Sequence, residues 1–512
     1  MIKKDWFKIK GYPHIGEPLT HADRPWVEKL VKDKKRVSQH SFSPFIFNPI
    51  TVRKFRKEKF QDGSRSELRV SGDKTRPIYY ANHIDACIYG YYSSLIQESY
   101  ESYLSDAGIK ECVTAYRKIP KDPDNLKAGN KCNIDFASEV FQYIKNSGKQ
   151  ELIAIAFDIC SFFDNLSHKK LKVAWREVIK SGTDLPCDHY NVFRNITKFS
   201  YVYEREIFNE FKSSIIVKDA ANNIKRKKVN KRKYLKENKA VAFCQSKEID
   251  ILREKNYIKS NKYEKDKKDR YITDENGNKV LRKKGIPQGS PISAVLANIY
   301  LYEFDKAVSD FISGIGGLYR RYSDDIVVVC EPAYEQQIIS FVEKLIKEVE
   351  LEVNCNKTQI FHFIKKGGRY MCYEKNACTK KLLTNTMFDY LGFSFDGHYT
   401  YLKSASLASF YRKMKRSVRR GKYYSSRINN STNGELFKSR LYKRFTFLGA
   451  KRRKIYKRVP GTTNKWQKTK KDDWGNYLRY AIKAANNIPD NKIKSQIRRH
   501  WKVFHGLINA SL

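Results

Sequence analysis

Two strand-like runs around a short polar bend constrain this chain more than any other feature: Leu318-Tyr319-Arg320-Arg321-Tyr322, then Ser323-Asp324-Asp325, then Ile326-Val327-Val328-Val329-Cys330. Apolar runs flanking such a bend form a β-hairpin, and here two adjacent carboxylates stand at its tip. Neighbouring acids repel and raise each other's pKa unless a cation shares them. A hard divalent ion is the simplest partner, because Mg²⁺ takes one or two carboxylates and fills its remaining positions with phosphates and waters.

A second apolar run, Leu152–Phe157, reads as a buried strand that ends at Asp158, where a carboxylate faces solvent or a cleft. A helix is expected to follow from about Ser167, whose hydroxyl suits an N-cap. With Asp158 beside Asp324, two metal ions a few Å apart would activate a hydroxyl and stabilise a leaving pyrophosphate. A third element, Gly285-Ile286-Pro287-Gln288-Gly289-Ser290-Pro291, is a stiff bend in which Gly289 permits close backbone approach and Gln288 can face a nucleotide. A long apolar helix is expected to start at Ser290 and Pro291.

The charge is as unusual as the motifs. Lys and Arg number 101 against 55 Asp and Glu, a net +46. Residues 401–512 hold 30 of these cations and only 4 acids, and 221–284 hold 22 against 9. A field of this size repels itself unless a polyanion shares the surface, so nucleic acid is the expected partner; a merely basic or ribosome-associated protein is the plainer alternative. Hydrophobic residues at 41% provide a sizeable core and exclude global disorder. No apolar stretch is long enough for a membrane span, and Met1-Ile2-Lys3-Lys4-Asp5-Trp6 lacks a signal-peptide core, so a cytosolic, membrane-free protein is expected. The ten cysteines contain no C-x-x-C pair and read as reduced thiols. In the tail, Trp474, Tyr477, Leu478, Ala481 and Ile482 recur at helical spacing, so most tail aromatics read as core and the Lys/Arg faces as phosphate contacts.

In order and spacing, Phe157-Asp158-Ile159-Cys160-Ser161-Phe162-Phe163-Asp164-Asn165, Gly285 to Pro291, and Tyr322-Ser323-Asp324-Asp325 resemble motifs A, B and C of the reverse transcriptases. Asn354-Cys355-Asn356-Lys357-Thr358 resembles motif D, and Tyr390-Leu391-Gly392-Phe393 the hairpin leading into the thumb. Arg76-Pro77-Ile78-Tyr79 through Asp85, and Tyr116-Arg117-Lys118-Ile119, resemble the first finger motifs. The resemblance covers about 75–400 and is nearest to bacterial enzymes of the group II intron and retron lineage. Lys10-Gly11-Tyr12-Pro13-His14-Ile15-Gly16 and Trp474-Gly475-Asn476-Tyr477-Leu478-Arg479-Tyr480 resemble the abortive-infection, defence-associated branch. No Cys/His endonuclease cluster of an intron maturase and no Val-Thr-Gly tripeptide of a retron enzyme is present. Ser323 stands where Ala is usual, and a basic insertion lengthens the gap between motifs A and B.

The resemblance implies an α+β right-hand polymerase, with fingers, an antiparallel palm sheet and a basic, mainly helical C-terminal thumb-like domain. The expected divisions are an N-terminal extension at 1–74, fingers at 75–150, a palm at 151–400 with the basic insertion at about 206–284, and the thumb-like domain at 401–512. It implies an RNA-directed DNA polymerase in antiphage defence, working with a structured non-coding RNA, deoxynucleoside triphosphates and a DNA product. A retroelement enzyme, a template-independent polymerase and a silent RNA-binding scaffold are the alternatives; priming mode and homo-oligomer formation stay open. Asp158 and Asp324, with Asp325 in support and the Ile159 carbonyl, would hold two Mg²⁺ ions, with Mn²⁺ as a substitute. Phe163 would act as the gate against a 2′-hydroxyl; Gln288 and Gly289 would line the nucleotide and template strand. Arg117, with Lys118 next, would neutralise the triphosphate, and Lys357 would protonate the departing pyrophosphate.

Overall fold

The computed structural model describes residues 5–53, 55–59, 65–125, 128–219, 223–266, 270–354, 357–427, 436–450, 453–461, 465–473 and 475–510. The chain divides into two compact units. The first comprises Met1–Tyr116, Ala156–Val327 and Gln336–Thr358; the second comprises Arg117–Ile155, Val328–Glu335 and Gln359–Leu512.

The largest sheet has six strands: β1 (Glu151–Asp158), β2 (Leu318–Tyr322), β3 (Asp325–Cys330), β4 (Gln359–Lys366), β5 (Arg369–Lys375) and β6 (Leu382–Leu383), in the spatial order β2-β3-β1-β4-β5-β6. The strands β1 and β3 read as near-continuous apolar runs because both are covered: Leu152 to Ile155 and Ile326 to Cys330 are buried. The pairs β4/β5 and β5/β6 are antiparallel.

Within the first unit, one four-stranded sheet joins Lys259–Ser260, Ser200–Tyr203, Phe45–Val52 and Lys74–Tyr80 in that order. The last two pair antiparallel from Ile46↔Tyr80 to Val52↔Lys74. The rings of Phe47, Tyr79 and Tyr201 pack on this sheet, Phe47 and Tyr79 stacked at 4.6 Å. A second four-stranded sheet joins His14–Ile15, Ala240–Cys244, Ile215–Lys218 and Ile224–Lys227. Its core holds Ile15, Phe208, Phe211, Val217 and Phe243. The basic stretch is therefore partly a folded layer: Val229, Leu235, Phe243, Cys244 and Leu252 face inward while all four residues of Ile224–Lys227 are exposed.

The helix after the Gly-rich bend, α1 (Ser293–Tyr300), has seven of its eight residues buried, as expected of a helix apolar all round. It starts three residues later than Ser290, since Ser293 Oγ donates to the Pro287 carbonyl at 2.6 Å and Ser290 to Ile292 remain in the turn. A second helix, α2 (Tyr302–Gly314), follows directly.

In the second unit, Phe388–Tyr390, Phe393–Phe395 and Thr400–Leu402 form an antiparallel meander. Leu391 (φ +45°) and Gly392 (φ +92°) make its first turn, the two left-handed residues that a two-residue hairpin requires. The segment beyond 401 is mainly helical. Ser404–Arg427 buries Phe410, Met414 and Val418 at a spacing of four, and Tyr477–Asn487 buries Leu478, Ala481, Ala484 and Ala485 behind an Asn476 cap. The tail aromatics divide: Phe410, Phe445 and Phe504 are core, whereas Tyr423, Tyr424, Tyr456, Trp466 and Trp501 are exposed. Trp474 lies outside the described residues. All nine described cysteines are free thiols. No described helix is long and apolar enough to cross a membrane.

Candidate active site

The hairpin tip forms as the alternation of β2 dictates. Tyr319, Arg321 and Ser323 are buried on one face, and Ser323 takes a left-handed conformation (φ +62°) that turns the chain at Asp324. Asp324 is half-buried and Asp325 is exposed. Beside this tip, the Ile159 amide donates to the Asp324 carbonyl at 3.2 Å, so the residue after Asp158 is hydrogen-bonded to the hairpin turn. On its other side, Asp158 is clamped by the segment preceding Lys357. The Asn354 amide donates to the Asp158 carbonyl at 2.7 Å, and the Cys160 amide to the Glu352 carbonyl at 2.8 Å. Lys357 Nζ lies 2.6 Å from Asp158 Oδ2. Its neighbours Cys355 and Asn356 lie outside the described residues.

This donor set fits a hard divalent ion. Two acid-bearing chain segments adjoin through the Ile159–Asp324 backbone hydrogen bond, and Asp158 already draws a cation in the form of Lys357. Among the described residues no group of three or more His, Cys, Asp or Glu side chains forms an all-protein cage. Mg²⁺ does not need one, since it keeps waters and takes phosphate oxygens.

Sequence reasoning missed what holds the tip in place. Arg321, fully buried, forms a bidentate ion pair with Asp305 of α2 through Nε–Oδ1 at 2.7 Å and Nη2–Oδ2 at 2.6 Å. Its Nη1 donates to the Ser323 carbonyl at 3.2 Å, and Tyr319 OH donates to Asp305 Oδ1 at 2.6 Å. The Asp305 charge raises the Arg321 pKa against the desolvation that lowers it. The signal was present in the alternation, which sets Arg321 on the same strand face as Tyr319.

The Gly-rich bend packs on two neighbours. The Tyr79 amide donates to the Gln288 carbonyl at 2.8 Å, and Gly289 sits at φ +108° with the Tyr79 carbonyl where a side chain would be, 2.6 Å from an added Cβ. On the motif A side, the Ile286 amide donates to the Phe163 carbonyl at 2.9 Å and the Gly285 amide to the Leu166 carbonyl at 2.8 Å. Phe163 is half-buried, against Phe162 at 5.7 Å. Asp164 has its carboxyl pushed up by burial, with Arg282 pulling it back. Ser167 occupies the N-cap position of the helix His168–Val178 without a side-chain cap bond, and His168 Nε2 donates instead to the Gly285 carbonyl at 2.8 Å. Arg117 is buried and Lys118 exposed, both at the start of the second unit, whereas Asp158, Ile159, Phe163, Gln288, Gly289, Asp324, Asp325 and Lys357 all belong to the first.

A strand-end carboxylate hydrogen-bonded through its neighbour to a carboxylate hairpin, with a glycine loop alongside, is the palm arrangement of a right-hand polymerase, a nucleotidyltransferase fold of mixed helix and sheet. Residues 223–395, about a third of the chain, match the family described as "Reverse transcriptase (RNA-dependent DNA polymerase)". Gln288, Gly289, Asp324, Asp325 and Lys357 lie within the matched residues; Asp158, Ile159 and Phe163 precede them. Reverse transcriptases use divalent metal ions. Similar solved structures include the telomerase of Candida albicans in complex with a fragment of telomeric RNA, at 14% identity and TM-score 0.34, covering 77% of this chain and 52% of that one. They also include apo telomerase of Candida tropicalis, at 10% identity and TM-score 0.35, covering 81% of this chain and 61% of that one. The chain thus spans about half to three-fifths of the length of these relatives.

Proposed function

We propose that this protein is an RNA-directed DNA polymerase that joins deoxynucleotides by phosphoryl transfer with two Mg²⁺ ions, and that it serves antiphage defence with a bound non-coding RNA. The observation that carries the catalytic reading is the Ile159–Asp324 backbone hydrogen bond of 3.2 Å, which sets the two acid-bearing segments side by side. Asp158 and Asp324, with Asp325 and the Ile159 carbonyl, would hold the ions, which when bound supply charge neutralisation and a more acidic 3′-hydroxyl.

The chain's own residues do the rest. The carboxylates fix where the primer end and the α-phosphate meet, and catalysis comes mainly from that positioning. Lys357, beside Asp158, holds a proton within reach of the departing pyrophosphate. The half-buried Phe163 ring limits room at the sugar and selects deoxynucleotides. Gly289, lacking a side chain where the Tyr79 carbonyl stands, lets the loop pack on Tyr79, and from there Gln288 and Gly289 would line the nucleotide and template. The basic C-terminal helices bind the template–primer through its phosphates, without reading sequence.

The defence reading is supported by the resemblance of Lys10 to Gly16 and of the Trp474 to Tyr480 segment to the defence-associated branch, and by a charge of +46, more than a transient primer–template requires. Primer extension on an RNA template with Mg²⁺ tests the site: activity should vanish in Asp158→Asn and in Asp324→Asn, and retained synthesis in either refutes it. Sequencing the RNA that co-purifies, and the DNA made during phage challenge, tests the biological role; a fully active protein free of nucleic acid, making no DNA on infection, would refute that part.

A further inference from the structure

On the helix that follows motif A, a cavity of about 340 Å³ opens between His168–Val178 and the helix Cys187–Thr197. Residues 168, 169, 172, 173 and 176 supply one helical face, and Thr183, Asp184, Phe193, Thr197 and Lys198 close the other side. Four of the lining side chains are cationic, Lys169, Lys172, Arg176 and Lys198, against one carboxylate. That carboxylate, Asp184, is engaged by Lys172 at 2.8 Å. Arg176 is pinned by Nη1 to the Thr183 carbonyl at 3.1 Å and by Nη2 to Glu177 at 3.3 Å, while its buried Nε has no hydrogen-bond partner among the described residues. That enclosed N–H is out of reach of the cavity, so the donors open to an anion there are the lysine ammonium groups and the part-exposed end of the Arg176 side chain. The wall is not uniformly polar: Phe193 is 8% exposed, and Val173 lies opposite on the facing helix.

Concavity, surplus positive charge and an apolar wall distinguish this place from the solvated lysines elsewhere on the surface. The volume stands at the small end of ligand cavities, suited to one nucleotide rather than a duplex. We propose that the cavity binds a nucleoside phosphate, with its phosphates on Lys169, Arg176 and Lys198 and its apolar portion on Phe193 and Val173. The site is separate from the one at Asp158 and Asp324. It borders the Gly-rich bend, because its wall residue His168 holds the Gly285 carbonyl at 2.8 Å.

The test uses the full-length protein in EDTA, so that nucleotide cannot be retained through metal at the carboxylates. Binding of ATP, inorganic triphosphate and a single-stranded RNA 12-mer is measured by calorimetry for the wild type, for Lys169→Gln/Lys198→Gln and for Asp158→Asn/Asp324→Asn. The expected result is saturable ATP binding, tighter than inorganic triphosphate, weakened at least tenfold in Lys169→Gln/Lys198→Gln at an unchanged melting temperature and unaffected in Asp158→Asn/Asp324→Asn. Both lysines are exposed, so the first variant should fold normally. Absence of ATP binding, equal affinity in Lys169→Gln/Lys198→Gln, loss in Asp158→Asn/Asp324→Asn, ATP no tighter than triphosphate, or binding of the RNA alone would each overturn the proposal.

Discussion

Replacing Asp305 by Asn removes the charge that compensates Arg321 while leaving the guanidinium buried. Both side chains are fully enclosed, and the pair is bidentate at 2.7 and 2.6 Å. Stripping one partner from such a pair costs ~3–5 kcal/mol, because the remaining charge has neither water nor a counter-ion. At ~2 °C per kcal/mol for a unit of this size, the melting temperature should fall by roughly 6–10 °C. A second variant separates stability from positioning. Asp305→Leu/Arg321→Met/Tyr319→Phe removes both charges and the phenol that donates to Asp305 at 2.6 Å, leaving no orphaned partner within the trio. Apolar replacement of a whole buried network is often neutral or stabilising, so most of the melting temperature should return. Activity should not return with it, because the donor to the Ser323 carbonyl, Arg321 Nη1 at 3.2 Å, is gone and the Asp324 turn is free to shift. A displacement of ~1 Å at reacting groups costs on the order of 100-fold in rate. Thermal melts and primer extension measured together decide the matter. An Asp305→Asn protein that melts like wild type, or a triple variant that extends primers at the wild-type rate, refutes the reasoning.

Gly289→Ala puts a Cβ 2.6 Å from the Tyr79 carbonyl at φ +108°, so it should cost ~1–3 kcal/mol in melts and lower primer extension; a variant matching wild type in both contradicts the close approach. Phe163→Val should admit ribonucleotides, narrowing the ratio of deoxynucleotide to ribonucleotide kcat/KM by on the order of tenfold, with an unchanged ratio ruling out the gate. His14 is buried, accepts from the Ile15 amide and donates to the Tyr80 carbonyl, and burial holds its pKa down to about 3. The unfolded chain therefore binds the proton first, and the stability this neutral histidine contributes is present above its unfolded value and lost as pH falls from 6.5 towards 3. Between pH 7.5 and 5 the loss is about 2 kcal/mol, so His14→Gln should flatten the difference between urea midpoints at those two values, and an equally steep dependence would count against it.

Local signals in the sequence were legible. A six-residue apolar run, Leu152–Phe157, leading into Asp158 read as a covered strand, and a polar bend between two apolar runs as a hairpin tip. What stayed hidden was non-local. The cations of residues 221–284 read as an insertion, yet Ala240–Cys244 pairs with His14–Ile15 from the far end of the chain and encloses a core of its own, which no local pattern announces. Arg321 looked like one more charge in a basic protein until α2 placed Asp305 against it. The start of α1 was misjudged by three residues because Ser293, rather than Ser290, reaches the Pro287 carbonyl. In the tail, helical spacing read most aromatics as core, which holds for Phe445 but not for Trp466 and Trp501, which stand in water.

The turn that carries Asp324 is tethered by the Arg321 guanidinium at one carbonyl and the Ile159 amide at the next. The backbone of that turn is held at two successive carbonyls, so no ordering free energy has to come from the incoming ligands to form it. Ion binding would then begin with displacement of Lys357 from Asp158 and be completed by oxygens of the incoming phosphates.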